Sequence, residues 1–334
     1  MFSRQIDFLA IGDIATDTFI RLKEASVNCD ISKSRCEICM KFGDKIPYDL
    51  VEVLPSVGNS ANAAVSASRL GLRSAFLGNI GDDEEGKECI TELRRNKVDT
   101  RYVHVHRGMK TNHHYVLWYE NDRTILIKHE DFKYSLPKIS PPKWIYLSSV
   151  SENSRSYHIE IAKYLKKYPE VRLAFQPGTF QIKLGTDVLK SIYARTEVFI
   201  CNLEEAQKIL GVHKDDSNVR KLLGRIRALG PKIVLITDGP KGAYMYDGNS
   251  MYFHPIYPDP KPPVERTGAG DALASTFVSM LIQGKSLRQA LSWSLVNSMN
   301  VVQYIGAQKG LLSAKEIEKL LKKAPQDYKA TLLK

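Results

Sequence analysis

Within a chain of 334 residues, the run Val264-Glu265-Arg266-Thr267-Gly268-Ala269-Gly270-Asp271-Ala272-Leu273-Ala274 sets one carboxylate just inside an apolar-periodic segment that reaches Ile282. A carboxylate on the first turn of a helix can take the proton of an incoming hydroxyl. The free N–H groups of the same helix start, with the helix dipole behind them, can hold charge that grows on a moving phosphoryl group. Gly268 and Gly270 let the backbone come close to a phosphate, and with Ala269 they form a candidate anion hole beside the candidate base Asp271. The chemistry these residues suit is phosphoryl transfer to an alcohol. The same letters also describe a Gly-rich turn closed by an Asp, so the rest of the chain has to decide.

Positioning such a turn takes a scaffold, and short β-branched runs alternate here with longer amphipathic segments, the pattern of an α/β sheet. Strands are predicted at 6–11, 74–77, 143–147, 171–175, 198–201 and 232–237. Helices are predicted at 60–70, 84–96, 154–168, 203–210, 219–229, 272–282 and 287–304. Two stretches, 18–57 and 101–130, break the alternation and read as β-rich insertions. In the second, alternating Tyr115-Val116-Leu117-Trp118-Tyr119, a turn at 120–122 and a return through 123–127 predict a hairpin. Appended to one edge of a doubly wound sheet, the insertions are expected to make a small β lid that keeps water from the reaction. No repeats or long flexible linkers appear, so one domain over 1–334 is expected.

At 43% hydrophobic residues the chain can bury a full core. No apolar run approaches the roughly 18 residues of a membrane span, and the N-terminal residues lack a signal-peptide pattern, so a cytoplasmic protein without a membrane partner is expected. Lys and Arg number 48 against 37 Asp and Glu, a formal excess of 11 that favours anionic ligands such as nucleotides. The basic residues are scattered over helical stretches such as 163–167 and 319–323. They read as solvated helix faces, and nucleic acid is not the expected partner.

Three of the five cysteines, Cys29, Cys36 and Cys39, have C-x6-C-x2-C spacing inside the first insertion. That spacing suits a structural zinc site completed by Asp30, His113, His114 or another chain. Reduced thiols in a small apolar layer are the alternative, and a disulfide is disfavoured by the expected compartment. His113 and His114 open a predicted strand, so at most one of them lines a cleft. Gln176-Pro177-Gly178-Thr179 follows the strand at 171–175, at a carboxyl end where open α/β sheets bind ligands, and is a secondary substrate or phosphate contact.

Several short motifs stand in a telling order: Gly58-Asn59-Ser60-Ala61-Asn62-Ala63-Ala64 with Gly71 and Gly81 downstream, Asn202-Leu203-Glu204-Glu205-Ala206, Thr237-Asp238-Gly239-Pro240-Lys241-Gly242, and Thr267-Gly268-Ala269-Gly270-Asp271-Ala272. With them the chain resembles the ribokinase-like (PfkB) carbohydrate kinases, from Ile6 to about Leu312. The resemblance implies a ribokinase-like doubly wound central sheet flanked by helices, with ATP and Mg²⁺ as cofactors. It implies that Asp271 is the base and that residues 268–270 are the anion hole. Asp17, Gly58, Asn59 and Asn62 would bind the sugar, and Asp13, which equally suits a turn cap, is a further candidate. Asn202, Glu205, Thr237, Gly239 and Gly242 would meet the nucleotide and its Mg²⁺, with Glu205 acting through water. Asn297, Asn300 and Ala307 would border the adenine, although either Asn also reads as a helix-surface amide.

The chain departs from the family pattern at two places. Val57-Gly58 stands where two glycines are usual, which implies an acceptor of different shape or seating. Glu265, followed by Arg266, stands where the family has an Asp beside a monovalent cation such as K⁺; the longer carboxylate and the guanidinium could substitute for the cation or displace it. The expected acceptor is a sugar, with a nucleoside as the alternative and a non-catalytic nucleotide-binding regulator as a more distant one. Exposed strand edges in the insertions make a homodimer through the lid an expectation too.

Overall fold

The computed structural model describes residues 5–29, 36–120, 122–213 and 217–333, and of Asp122 the backbone alone. In chain order the early strands are β1 (Phe8–Ile11), β2 (Ala15–Leu22), β3 (Ser26–Cys29), β4 (Cys36–Cys39), β5 (Tyr48–Val57), β6 (Ser74–Gly81), β7 (Asp99–His106), β8 (Asn112–Tyr119) and β9 (Asp122–Lys128). The later ones are β10 (Trp144–Leu147), β11 (Arg172–Phe175), β12 (Thr196–Asn202), β13 (Ile233–Thr237), β14 (Ala243–Tyr246), β15 (Met251–His254) and β16 (Thr331–Leu332). The helices are α1 (Asn59–Arg69), α2 (Glu84–Arg95), α3 (Arg155–Lys167), α4 (Thr179–Leu184), α5 (Lys190–Arg195), α6 (Leu203–Leu210), α7 (Val219–Ala228), α8 (Ala269–Ile282), α9 (Leu287–Val301) and α10 (Ala314–Leu321).

Among the described residues, ten strands form one sheet in the order β16-β15-β14-β13-β12-β11-β10-β1-β6-β7. The stretch from β7 to β13 is parallel, and β14 to β16 add an antiparallel edge. Parallel strands are covered on both faces, which is why β1 is apolar at every position. Its side chains alternate between two cores: Phe8 and Ala10 join one with residues of α1, α8 and α9, and Leu9 and Ile11 join the other with residues of α3, α5 and α7. α8 is buried from Asp271 to Met280, so its apolar surface runs all round rather than along one stripe. β1 lies between β6 and β10, the point where successive strands are added to opposite sides. At such a switch point the carboxyl ends of the strands leave a crevice for a ligand.

β5, β2, β8 and β9 form a separate four-stranded sheet over that crevice. β8 and β9 pair as the predicted hairpin, with Tyr119 opposite Asp122 and His114 opposite Ile127. The segment 101–130 is divided, because residues up to His106 belong to β7 and pair with β6 in the large sheet. The β14–β15 hairpin went unpredicted, although alternating residues flank the turn at 247–250.

The zinc reading is corrected. β3 and β4 pair with Cys29 opposite Cys36, and the two sulfurs form a disulfide. Hairpin register brings the thiols together, and their bond leaves Cys39 as the one unpaired cysteine of that trio. Among the described residues, no group of three or more His, Cys, Asp or Glu side chains is placed to hold a metal ion. Among the described residues, no helix is long and apolar enough to cross a membrane.

Candidate active site

The crevice is a cavity of about 700 Å³ that runs from the lid to the first turn of α8 and the C-terminal part of α9. α8 begins at its edge. Gly268 is in the left-handed region at φ 81°, and a Cβ there would lie 2.4 Å from the Ala307 Cβ, so the turn needs glycine for its conformation and for its contact. Glu265 ties this turn to the next loop: its Oε2 accepts from the Thr267 N–H at 2.6 Å and its Oε1 from the Gly306 N–H at 2.8 Å. Each oxygen of the carboxylate that stands at the family's cation position thus accepts one backbone amide. Thr267 and residues 268–270 all line the cavity.

Asp271, on the first turn of α8, is 8% exposed. Asn59 donates to its Oδ1 at 2.9 Å, Gln176 to the same oxygen at 3.2 Å, and Asn62 to Oδ2 at 2.8 Å. Burial raises the carboxyl above its ordinary range, and these three donors pull it partly back. The outcome is a carboxylate that is more basic than a solvated one and is held in one orientation. Asn59 and Asn62 stand on the first turns of α1, whose cap Gly58 has φ 114° and would strike the Asp13 carbonyl 2.8 Å away if it carried a Cβ. Tyr146 donates its hydroxyl to Gln176 Oε1, which turns the Gln176 amide toward Asp271.

At the lid end Asp13, Asp17, Asn112, His114, Arg123 and His129 line the cavity. His113 faces away and contacts Glu85 at 2.9 Å and Thr18 at 3.0 Å, so one ring of the His113-His114 pair reaches the cleft, as strand alternation requires. Toward the far end lie Asn202, Glu205, Thr237, Gly239, Gly242 and Ala307. Asn202 caps α6: its Oδ1 accepts from the Glu205 N–H, and Glu205 Oε2 accepts from the Asn202 N–H. Burial, and secondarily the charge of Asp271, raise the Glu205 carboxyl.

Asn297 and Asn300 are corrections. Asn297 is fully buried, donates to Thr276 Oγ1 at 2.8 Å and accepts from the Leu312 N–H at 2.9 Å. Asn300 donates to the Gly310 carbonyl at 2.7 Å. Neither lines the cavity; Ser298, Met299 and Val302 do so from the same part of the chain. The sequence reading also missed Arg123 and His129, which line the cavity, and Tyr134, which lies behind it and donates to Asp13. The hairpin held the signal for two of them, since pairing 119 with 122 puts 123, 125, 127 and 129 on one face, and all four line the cavity.

A parallel sheet with a helix-start carboxylate above its switch point is the architecture of an α/β phosphotransferase. Residues 56–314 match the sequence model of the pfkB family carbohydrate kinases, and the chain belongs to that family; it is an ATP-dependent phosphotransferase. It is 27% identical over 269 residues to the ATP-dependent 6-phosphofructokinase of Thermoanaerobacterium thermosaccharolyticum, covering 75% of this chain and 80% of that one. It is 27% identical over 287 residues to the 5-dehydro-2-deoxygluconokinase of Bacillus subtilis, with 79% and 86% covered. The fold matches Arabidopsis thaliana ribokinase, solved with ribose and ATP, at a TM-score of 0.77 with 22% identity, over 95% of this chain and 99% of that one.

Proposed function

We propose that this kinase transfers the γ-phosphoryl group of ATP to a hydroxyl of a sugar held under the lid, with Asp271 as the general base. The observation that carries the reading is the Asp271 carboxylate, buried, raised and aimed into the cavity by Asn59, Asn62 and Gln176. The acceptor end is lined by carboxylates and amides, namely Asp13, Asp17 and Asn112, which suit a polyol's hydroxyl groups. The amides of residues 268–270 then face the charge that develops on the transferred group.

Asn202 and Glu205 line the cavity with oxygen donors of the kind Mg²⁺ takes, and Glu205 would hold the ion through water. When bound with ATP, Mg²⁺ neutralises phosphate charge. Glu265 acts as the tie between the anion-hole turn and the 306 loop. Residues 1–334 work as one kinase unit. Val51, Val53, Tyr115 and Leu126 are exposed on the lid face opposite Ile127, an apolar surface that suits pairing with a second lid in a homodimer.

The test is ADP release by wild type and Asp271→Asn over ribose, fructose, fructose 6-phosphate, keto-deoxy sugar acids and nucleosides. One acceptor class that stimulates turnover in the wild type and fails in the variant is the expected result. Turnover that survives in Asp271→Asn would remove the base assignment.

A further inference from the structure

The loop between α9 and α10 carries Gln308, whose side-chain Nε2 donates twice: to the Ser56 carbonyl at 2.5 Å and to Asn62 Oδ1 at 2.9 Å. Ser56 stands next to last in lid strand β5, and Asn62, near the start of α1, is a partner of Asp271. The main chain at Gln308 is held as well. Arg69, the last residue of α1, donates from Nη1 to the Gln308 carbonyl at 2.6 Å and to the Leu311 carbonyl at 3.1 Å. α1 thus grips Gln308 twice, by Arg69 on its carbonyl and by Asn62 on its side chain. Ser56 is buried, and at φ 65° it is a non-glycine residue in the left-handed region. Such a conformation persists where its surroundings fix it. The Ser56 N–H donates to Cys89 Sγ on α2 at 3.2 Å, and its carbonyl takes the Gln308 amide.

The direction of every donation from Ser56 to Asp271 follows from one atom that cannot turn over. A backbone carbonyl accepts and never donates, so the Gln308 atom that faces it must be the NH₂ group. The second proton of that group meets Asn62, which must answer with its oxygen. The Asn62 nitrogen is then left to face Asp271 Oδ2, and it donates there at 2.8 Å. Asn59 and Gln176 both donate to Oδ1. Among the described residues Oδ1 therefore takes two donors and Oδ2 one, which leaves Oδ2 a lone pair for the proton of a hydroxyl. All three bonds are stronger to a charged carboxylate than to a neutral acid, so the network opposes the burial that raises the group. Asn62 is the strongest of the three donors in this respect.

We infer that Gln308 is a positioning residue of this kinase: pinned by the Ser56 carbonyl of the lid strand, it decides which end of the Asn62 amide faces Asp271 and so keeps the base oriented. This rests on the reading of Asp271 as the base, and on the geometry for the rest. Without the Gln308 NH₂ group the Asn62 oxygen loses its partner and the amide is free to turn over. Turned over, its oxygen opposes Asp271 Oδ2, acceptor against acceptor. Loss of a donor favours the protonated acid, so the Asp271 carboxyl rises. The titratable groups around Asp271 are Glu205 of α6 and Tyr146 of β10, coupled to it by charge, and Arg266, which lines the same cavity. All three stay in every variant below.

The test is a double-mutant cycle between Gln308→Met and Asn62→Ala with two readouts. In ligand-free protein the Asp271 carboxyl is titrated by ¹³C NMR, its signal assigned by its loss in Asp271→Asn. Gln308→Met keeps the length of the side chain and removes its donor, and it is expected to move the titration to higher pH. In the Asn62→Ala background the same substitution is expected to move it no further, because the relay is already cut. In turnover assays Gln308→Met is expected to lower kcat about tenfold with the KM for ATP nearly level. Asn62→Ala and the double variant should agree within about twofold. An unmoved titration in Gln308→Met, or shifts that add in the double variant, would overturn the positioning role. Should Gln308→Met melt too low to assay, the isosteric Gln308→Glu replaces it: an ionised carboxylate cannot donate to Ser56 or Asn62, and its shift must shrink in the Asn62→Ala background. A shift of the same size in both backgrounds would overturn the role equally. Absence of turnover with every acceptor would strike the kinase reading alone, because the titration needs no acceptor.

Discussion

Asn62 donates from Nδ2 to Asp271 Oδ2 at 2.8 Å across 209 residues of sequence, so the first turns of α1 and α8 meet at one carboxylate. Gln308 in turn donates to Asn62 Oδ1 at 2.9 Å, which leaves the Asn62 amide one orientation. Both helices begin at the cavity, and their unpaired N–H groups concentrate positive potential on the place where a phosphoryl group would pass.

Asp271→Asn keeps the volume and removes the base. We expect kcat to fall by about 10²–10⁴-fold, the range general-base catalysis supplies, with the KM for ATP little changed. Steady-state ADP release at saturating acceptor measures it.

The pH profile tests the carboxylate's surroundings. Burial raises Asp271, so the acid limb of kcat/KM should lie above the ordinary carboxylate range of about 4. Gln176 and Asn59 stabilise the charged form, and their loss raises it further. Gln176→Ala should therefore move the acid limb to higher pH; a limb that moved to lower pH would contradict the hydrogen-bond assignment.

Two glycines of one turn separate stability from chemistry. Gly268→Ala forces a side chain into the left-handed region and onto Ala307. It should cost about 1–3 kcal/mol of stability and reduce kcat about a hundredfold through displacement of the anion hole. Gly270→Ala meets nothing nearer than Gln176 Nε2 at 3.9 Å, so it should melt no lower than wild type. Its methyl group sits at the mouth of the anion hole, and kcat should still fall. Thermal melts beside turnover assays read the two effects apart.

Asp7 accepts from Arg73 Nε at 2.9 Å and from the Arg73 backbone N–H at 3.0 Å, with Lys143 2.9 Å away. The Arg73 hydrogen bond, aided by Lys143, holds this carboxyl well below its usual range. A depressed folded-state value means that the stabilisation is complete above the unfolded value and fades as pH falls toward the folded one. Asp7→Asn should melt several degrees below wild type at pH 7, and the gap should narrow below about pH 4. A constant gap across that window would show that charge is not the cause.

The legible part of this protein was whatever is repeated along the chain or confined to a few neighbouring residues. Apolar runs bounded by turns located the seven parallel strands except for β7, and the alternation at 115–127 located the lid hairpin. The Thr267–Asp271 run marked the start of α8, because Gly and Asp have few local uses that place a carboxylate one turn inside an apolar helix. Asn202 and Glu205 were equally readable as a capped strand–helix turn. Local pattern misled at β7, where β-rich residues joined the large sheet instead of the lid, since alternation reports a strand and not its partner.

Only tertiary structure decided where polar side chains spend their hydrogen bonds. Asn297 and Asn300 share a helix face, yet packing against Thr276, Leu312 and Gly310 consumes their amides. Glu265 stands at the family's cation position in the sequence, and only the fold shows the 306 loop donating to it. Cys29 and Cys36 became a disulfide through hairpin register, which no spacing rule specifies. His129 entered the site because β9 returns beside β8 and brings it to His114. The sequence by itself determined the α/β fold class and marked Asp271 and residues 268–270 as the proposed base and anion hole, because their signals are local. The orientation of the base, the acceptor end and the fate of each amide depended on residues up to hundreds of positions apart, and only the packed chain brings those together.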